Sequence, residues 1–122
     1  MGGIIIGYEI GKLLGKETIF CERVNKKFTL RRGFFIKKNS KVLIVEDVIT
    51  TGKSSLECAK LVSASEAEII GYACIIDRSN GKSSIKSKII SQLKLDIPTY
   101  SEKDLPDNLS AIKAVKPGSR NL

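Results

Sequence analysis

The stretch from Val42 to Ser55, which reads VLIVEDVITTGKSS, constrains the fold more than any other part of the chain. It opens with four consecutive apolar residues, a pattern typical of a strand buried on both faces in a parallel sheet. Two carboxylates, Glu46 and Asp47, follow at once, and a hydroxyl- and glycine-rich turn then leads into a predicted helix. Because ligands bind beyond the carboxyl ends of such strands, the acidic pair and the turn are expected to face a ligand.

The chemistry of this segment fits a phosphorylated sugar. A helix N-terminus preceded by hydroxyls and a glycine offers donors to a phosphate, and the donors here would come from Thr50, Thr51, Gly52 and Ser54. Adjacent carboxylates suit sugar hydroxyls and a magnesium ion. A nucleoside-triphosphate loop is excluded by spacing, because Asp47 stands where that motif requires a glycine. Adjacent strand residues face opposite ways, so the chain is expected to leave strand geometry at the acidic pair.

Hydrophobic spacing along the whole chain predicts a single α/β domain, residues 1–122, with a mostly parallel sheet flanked by helices. Helices are expected over residues 4–14 and 54–64, and strands over residues 18–21, 34–36, 41–45 and 69–77. Residues 89–95 fit either a strand or a short helix. Residues 22–33 carry five basic side chains and few large apolar ones, which indicates a mobile hairpin or loop.

The charge and the aromatic content narrow the possible partners. The formal net charge of +8 fits either nucleic acid or a polyphosphate substrate. Aromatic residues make up only 6% of the chain and the lysines are scattered, which argues against a nucleic-acid surface. The chain has no histidine, so it cannot supply a Ser-His-Asp or Cys-His site or a histidine-ligated zinc.

The three cysteines are widely spaced, without the pairing typical of a metal site. Cys74 is expected in the core, and Cys21 could lie near an active site, although reduced buried thiols are preferred for all three, Cys58 included. No signal peptide or membrane-spanning run is visible, so a cytoplasmic protein is expected.

The residues 42–54 resemble the phosphoribosyl-pyrophosphate motif of the type I phosphoribosyltransferases. Among these the chain is most similar to the orotate phosphoribosyltransferases. Four further segments carry that similarity: Met1–Ile4 (MGGI), Glu22–Gly33 (ERVNKKFTLRRG), Cys74–Arg78 (CIIDR) and Ala114–Arg120 (AVKPGSR).

The resemblance implies a reaction and its partners. Ribose 5-phosphate would move from phosphoribosyl pyrophosphate to N1 of orotate, giving orotidine 5-monophosphate and pyrophosphate in pyrimidine (UMP) biosynthesis. Magnesium would be held mainly by substrate and water, with no direct protein ligand. The family's homodimers share active sites, with the mobile loop of one subunit closing over the other.

The resemblance also assigns roles to residues. Glu46 and Asp47 would hold the ribose hydroxyls, with Asp47 counted as catalytic. The 5-phosphate would lie on Val48, Ile49, Thr50, Thr51, Gly52, Lys53 and Ser54, and the pyrophosphate near Gly2 and Gly3. Arg78 would pair with the orotate carboxylate, because a planar guanidinium matches a carboxylate in two places.

The basic segment 22–33 would be the family's catalytic loop. Arg23 matches a basic position of that loop and Lys27 matches its catalytic lysine, with the neighbouring Lys26 as the alternative. Arg31 and Arg32 are weaker candidates. In the family a helix and strands precede the Met-Gly-Gly segment, so a truncated chain, a misplaced start or a part supplied by another chain is expected, together with weak catalysis.

Two other functions stay open from the sequence. A salvage enzyme for another base would share the phosphate motif, and a regulator could keep the sugar-phosphate pocket without performing chemistry. Arg78 and the basic segment favour orotate transfer.

Overall fold

The computed structural model describes residues 2–113 and 115, so Met1 and nearly all of the predicted motif at residues 114–120 lie outside the described residues. In chain order the elements are α1 (Gly3–Leu14), β1 (Cys21–Val24), β2 (Lys27–Leu30), β3 (Lys41–Ile49), α2 (Lys53–Ala64), β4 (Glu68–Asp77) and β5 (Ile89–Lys94). A short 3₁₀ turn (Glu102–Asp104) and a one-turn helix, α3 (Asp107–Ser110), follow. The predicted α/β class is confirmed.

The main sheet is parallel, with strand order β3-β4-β5. Helix α2 covers one face, where Val62 packs in a cluster with Ile44 of β3 and Tyr72 of β4. The next residue of β3, Val45, faces the other way and lies close to Gly7 of α1. The two helices therefore lie on opposite faces of β3, which explains why its apolar run is uninterrupted.

The buried core is small and lies between α2 and the sheet. It consists of Ile44, Ile49, Ala59, Val62, Tyr72, Cys74 and Ile85. Cys74 is in this core, as predicted. Large apolar side chains remain exposed on α1, among them Ile5 and Leu13, and on the sheet, among them Ile70 and Ile90.

Strand β3 is longer than the sequence predicts, and the expected departure from strand geometry at the acidic pair is wrong. Parallel pairing with β4 continues through Glu46, opposite Cys74, to Val48, opposite Ile76, and Ile49, opposite Asp77. The partner strand is ten residues long. Its hydrogen-bonding groups hold the chain extended past the last residue of the apolar run.

Two short predicted strands are also wrong. Within residues 18–21 only Cys21 is in a strand, and residues 34–36 form none. The ambiguous segment 89–95 is mainly strand, since Ile89–Lys94 extends the sheet beside β4.

The basic segment folds as an antiparallel hairpin of β1 and β2, which forms a sheet of its own. Its two turn residues, Asn25 and Lys26, have φ values of 47° and 66°. Positive φ at both central residues matches the right-handed twist of the strands, and asparagine tolerates it better than most side chains. The sequence was compatible with either a hairpin or a loop in this segment, and the structure shows the hairpin.

Candidate functional site

A cavity of about 700 Å³ opens at the carboxyl end of β3, between the start of α2 and the hairpin. Its walls come from four places in the chain. The lining residues are Gly2, Cys21, Glu22, Arg23, Phe28, Arg32, Glu46, Asp47, Val48, Ile49, Thr50, Thr51, Gly52, Lys53, Ser54 and Ser55. The structure thus brings together eleven of the fifteen predicted site residues.

The acidic pair lies on the cavity wall formed by β3. Burial, with the charge of Asp47 next in importance, raises the pKa of the Glu46 carboxyl. Asp47 Oδ1 accepts a hydrogen bond from the backbone N–H of Val48 at 2.9 Å. Gly2 passes so close to Asp47 that a Cβ at this position would collide with the carboxylate. Two acids held together in this way favour a ligand that offers hydroxyl donors or positive charge.

The turn into α2 provides the donors for an anion. Gly52 occupies the N-cap position with φ at 78° and has no side chain to cap the helix. The first backbone N–H groups of a helix point at whatever lies beyond its N-terminus, and the helix dipole favours negative charge there. The N–H of Lys53 lies 3.3 Å from Thr51 Oγ1, which keeps that hydroxyl at the rim of the turn.

A distant segment supports this turn from behind. The backbone N–H of Ser84 donates to the carbonyl of Thr51 at 3.0 Å. Ile85, which is 7% exposed, lies against Gly52, and a Cβ on that glycine would come within 2.8 Å of Ile85 Cγ1. A glycine is therefore required at this position for two reasons: its φ angle is positive, and the Ile85 side chain leaves no room for a Cβ.

The hairpin rests on α2 through charged groups. Arg23 Nη2 donates to Glu57 Oε2 at 2.6 Å, and the same guanidinium lies 4.3 Å from the ring centre of Phe28. At the hairpin stem, Arg31 and Arg32 both bond the carboxylate of Glu22, and the Arg32 bond is the main reason that the pKa of Glu22 is lowered. These contacts are largely exposed to solvent, so each contributes little to stability.

Four predicted residues are not on the cavity wall, namely Gly3, Lys26, Lys27 and Arg78. Gly3 begins α1 and packs on β3. A Cβ placed on Gly3 would lie 3.2 Å from the Cα of Glu46. Lys27 lies on the hairpin face opposite to Cys21 and Arg23, by the alternation of strand residues. Arg78 follows β4, where its N–H donates to the carbonyl of Ile49 at 2.8 Å, and its Nε is buried without a hydrogen-bond partner among the described residues.

Sequence reasoning missed several residues of the site. Ser55 is 1% exposed at the start of α2, and Glu22 and Phe28 line the cavity from the hairpin. Glu22 is the only acid in the basic segment 22–33, and that isolation is a signal for an internal ion pair. Ile85 is likewise the only large apolar residue in the polar segment 79–88, which indicates that it packs inward.

The phosphoribosyl transferase domain family matches residues 13–102, and the chain belongs to that family. Among curated relatives, an orotate phosphoribosyltransferase of Methylorubrum populi is 50% identical over 123 residues, covering 100% of this chain and 63% of its own length. The orotate phosphoribosyltransferase of Maricaulis maris is 44% identical over 121 residues, covering 99% of this chain and 62% of its own. The chain thus spans about three fifths of the length of these relatives.

Solved structures agree on the fold. The crystal structure of adenine phosphoribosyltransferase from Leishmania tarentolae superposes with a TM-score of 0.64 at 24% identity, over 81% of this chain and 60% of that chain. The adenine phosphoribosyltransferase from Thermoanaerobacter pseudethanolicus gives 0.62 at 18% identity, over 78% and 66%. At these identities the likeness shows the fold alone.

Residues 2–113 and 115 contain neither a membrane-spanning helix nor a cluster of metal-binding side chains. No helix there is long and apolar enough to cross a membrane. No group of three or more histidine, cysteine, aspartate or glutamate side chains is arranged there to hold a metal ion.

Proposed function

We propose that this chain is the phosphoribosyl-pyrophosphate-binding portion of an orotate phosphoribosyltransferase. The observation that carries the proposal is the cavity shared by the acidic pair of β3 and the turn before α2. A sugar and its 5-phosphate need these two kinds of wall. The choice of orotate as acceptor is supported by relatives that are named orotate phosphoribosyltransferase and are 43% to 50% identical to this chain.

Each wall has one task in the proposed reaction. Glu46 and Asp47 accept hydrogen bonds from the ribose hydroxyls, which orients C1 of the sugar. The N–H groups at the start of α2 bind the 5-phosphate. As the bond between C1 and the pyrophosphate oxygen breaks, positive charge develops on the ribose, and N1 of orotate then bonds to C1. Such a reaction depends on positioning and on charge neutralisation rather than on a protein nucleophile.

A magnesium ion fits the donors that are present. The cavity offers carboxylate oxygens at Glu46 and Asp47, and the pKa of the Glu46 carboxyl is raised first by burial and second by the charge of Asp47. The ion would be held mainly by substrate oxygens and water, which complete its octahedral shell, while the two carboxylates lie near it without binding it directly. When bound, the ion would neutralise charge on the departing pyrophosphate.

The same proposal covers assembly. We infer a homodimer in which the hairpin of one subunit serves the cavity of its neighbour. Lys27 lies on the hairpin face opposite to Arg23, which itself contacts α2 of its own subunit. The exposed apolar residues Ile5 and Leu13 of α1, at 77% and 83% exposure, offer surface for a partner.

The experiment has a binding arm and a transfer arm. Calorimetry with phosphoribosyl pyrophosphate and Mg²⁺ tests the cavity in the chain as it stands. Transfer is followed with orotate, and with adenine as the competing acceptor, in this chain and in a version extended with the remaining portion of the Methylorubrum populi relative. Binding together with transfer to orotate alone is expected. Preference for adenine would overturn the choice of acceptor, and absence of binding would overturn the proposal.

A mixed-subunit assay tests the shared site, using the extended version. Lys27→Ala chains are combined with Asp47→Asn chains, and Lys26→Ala replaces Lys27→Ala in the matched control. The mixed dimer should regain one intact site and measurable activity. If heterodimers form and activity stays at the level of the separate variants, the hairpin serves its own subunit. If Lys26→Ala is the more damaging lysine change, the catalytic assignment moves to that residue.

A further inference from the structure

Two cysteines meet where the hairpin touches the body of the domain. Cys21 is the first residue of β1 and lines the cavity, and Cys58 lies in α2, directly after Glu57. Their Sγ atoms are 3.7 Å apart, although 37 positions separate them in sequence. A disulfide bond is about 2.05 Å long, so the sulfur atoms need to approach by less than about 2 Å to become bonded.

The surroundings of the pair make one thiol the nucleophile. The hydrogen bond between the two thiols is the main reason that the pKa of Cys21 is lowered to about 7, while burial and the negative charge of Glu46 act against it and Arg23 acts with it. The same pairing and deeper burial raise the pKa of Cys58, which keeps its proton. At neutral pH a large share of Cys21 is therefore thiolate, and the open cavity gives small oxidants access to it.

We propose that Cys21 and Cys58 form a reversible disulfide bond that fastens the hairpin to α2. Its effect on catalysis rests on the proposed function, but its formation does not. The chemical class of the oxidant is a hydroperoxide. The Cys21 thiolate attacks one peroxide oxygen, the O–O bond breaks, and hydroxide leaves, giving a sulfenic acid. The Cys58 sulfur then attacks the Cys21 sulfur, the S–O bond breaks, and water leaves with the Cys58 proton.

The position of the bond decides its consequence. In the reduced protein the hairpin is held on α2 by exposed contacts such as the Arg23–Glu57 ion pair, in which the two side chains are 42% and 26% exposed. Contacts of this kind break and re-form readily. A covalent bond two residues before Arg23 makes the docked position permanent. A hairpin held in this way cannot leave its own subunit to cover a neighbouring cavity, so oxidation switches off transfer.

The test uses the whole chain, reduced or treated with hydrogen peroxide. Peptide mapping should show a Cys21–Cys58 disulfide that dithiothreitol reverses, with Cys74 remaining a free thiol as the control inside the same molecule. Its rate of formation should rise about tenfold per pH unit below about pH 7 and level off above it, as the thiolate fraction does. Hydrogen exchange at the hairpin amides should slow several-fold in the oxidised chain.

Matched variants separate this proposal from its alternatives. Cys58→Ser and Cys58→Ala should leave phosphoribosyl pyrophosphate binding unchanged, form no internal disulfide, and show no slowing of hairpin exchange after peroxide. In the extended version that keeps both Cys21 and Cys58, oxidation should reduce orotate transfer at least tenfold, and reductant should restore it. Oxidation of Cys21 to sulfinic acid without a disulfide, a disulfide between two chains, or unchanged hairpin exchange in the bonded form would each overturn the proposal.

Failure of the proposed function gives a different result. If the reduced chain does not bind phosphoribosyl pyrophosphate, the function is wrong, whereas mapping and hydrogen exchange still decide whether the bond forms and fixes the hairpin.

Discussion

The unit formed by β3 and α2, residues 41–64, and the hairpin of β1 and β2 face the same cavity but are built by different physical means. The first is fixed by burial: Ile49, Ser55 and Val62 are 1% to 2% exposed. The hairpin has no fully buried residue and is held by ion pairs at its surface. Burial of an aliphatic side chain contributes about 1.5–3 kcal/mol, and an exposed ion pair about 1 kcal/mol or less.

Under the proposed function, this difference indicates a division of labour. A phosphate cradle must be in place before its ligand arrives, since rigid donors lose no ordering entropy on binding. A cover over the reacting atoms must open and close, and such elements come from the least stable part of a fold. Variants in the two regions should therefore differ in kind, with global stability or binding affected in the first and local motion in the second.

The largest effect is expected at Gly52. Gly52→Ala forces a side chain into positive φ and against Ile85, and should destabilise the chain by about 2–4 kcal/mol while weakening binding. Gly81→Ala is the matched control, because Gly81 has φ at 72° but open space around its Cβ position. It should cost only about 1 kcal/mol. Equal losses in thermal unfolding would show that Ile85 does not support the turn.

Asp47→Asn should lower the affinity for phosphoribosyl pyrophosphate by about 10- to 100-fold, as expected for loss of charge-assisted hydrogen bonds. Folding should be nearly unaffected, since the side chain faces the cavity rather than the core. Calorimetry and thermal melting on one preparation measure both, with Asp96→Asn as an exposed control. A large fall in Tm with affinity retained would contradict the assignment.

Glu46→Gln should stabilise the protein while weakening its function. Burial raises the pKa of this carboxyl, so the folded chain binds its proton more tightly than the unfolded chain, and stability falls as pH rises through that range. The Glu46→Gln variant has no carboxyl to ionise at this position, so it does not lose this stability. Its Tm should exceed the native value by a few degrees at pH 7, and the gap should close below about pH 4. Glu68→Gln, at an exposed position, should show no such dependence; a constant gap at all pH values would refute the explanation.

The smallest effect is expected at the hairpin contact. Glu57→Gln removes the ion pair with Arg23 and should change the free energy of unfolding by less than about 1 kcal/mol. Hairpin amides should nevertheless exchange several-fold faster, while those of β3 stay unchanged. Lys38→Gln breaks the exposed pair with Glu66 and serves as the control. Unchanged hairpin exchange would mean that other contacts hold the hairpin in place.

The sequence predicted the parts of the fold that have a strong local pattern. The apolar run before Glu46 and the turn that follows it predicted a strand and then a helix, and the structure has β3 and α2 there, because apolar runs and turn chemistry are local properties. The length of β3 was not predictable from its own residues, since the continuation to Ile49 depends on pairing with β4. The same limit applies to Ile85. Its segment is distant from Gly52 in sequence, and only folding brings the two residues together.

The contact of Ser84 and Ile85 with the turn before α2 sets the size of the smallest part that could be transplanted to another scaffold. A graft of strand, turn and helix alone would lose the hydrogen bond to the Thr51 carbonyl and the apolar wall behind Gly52. Such a graft would keep the sequence of the turn but would lose the contacts that fix its conformation. The modular unit is therefore residues 41–85, which includes β4, and chimaeras cut before residue 84 should lose the cradle even when both of its flanking elements fold.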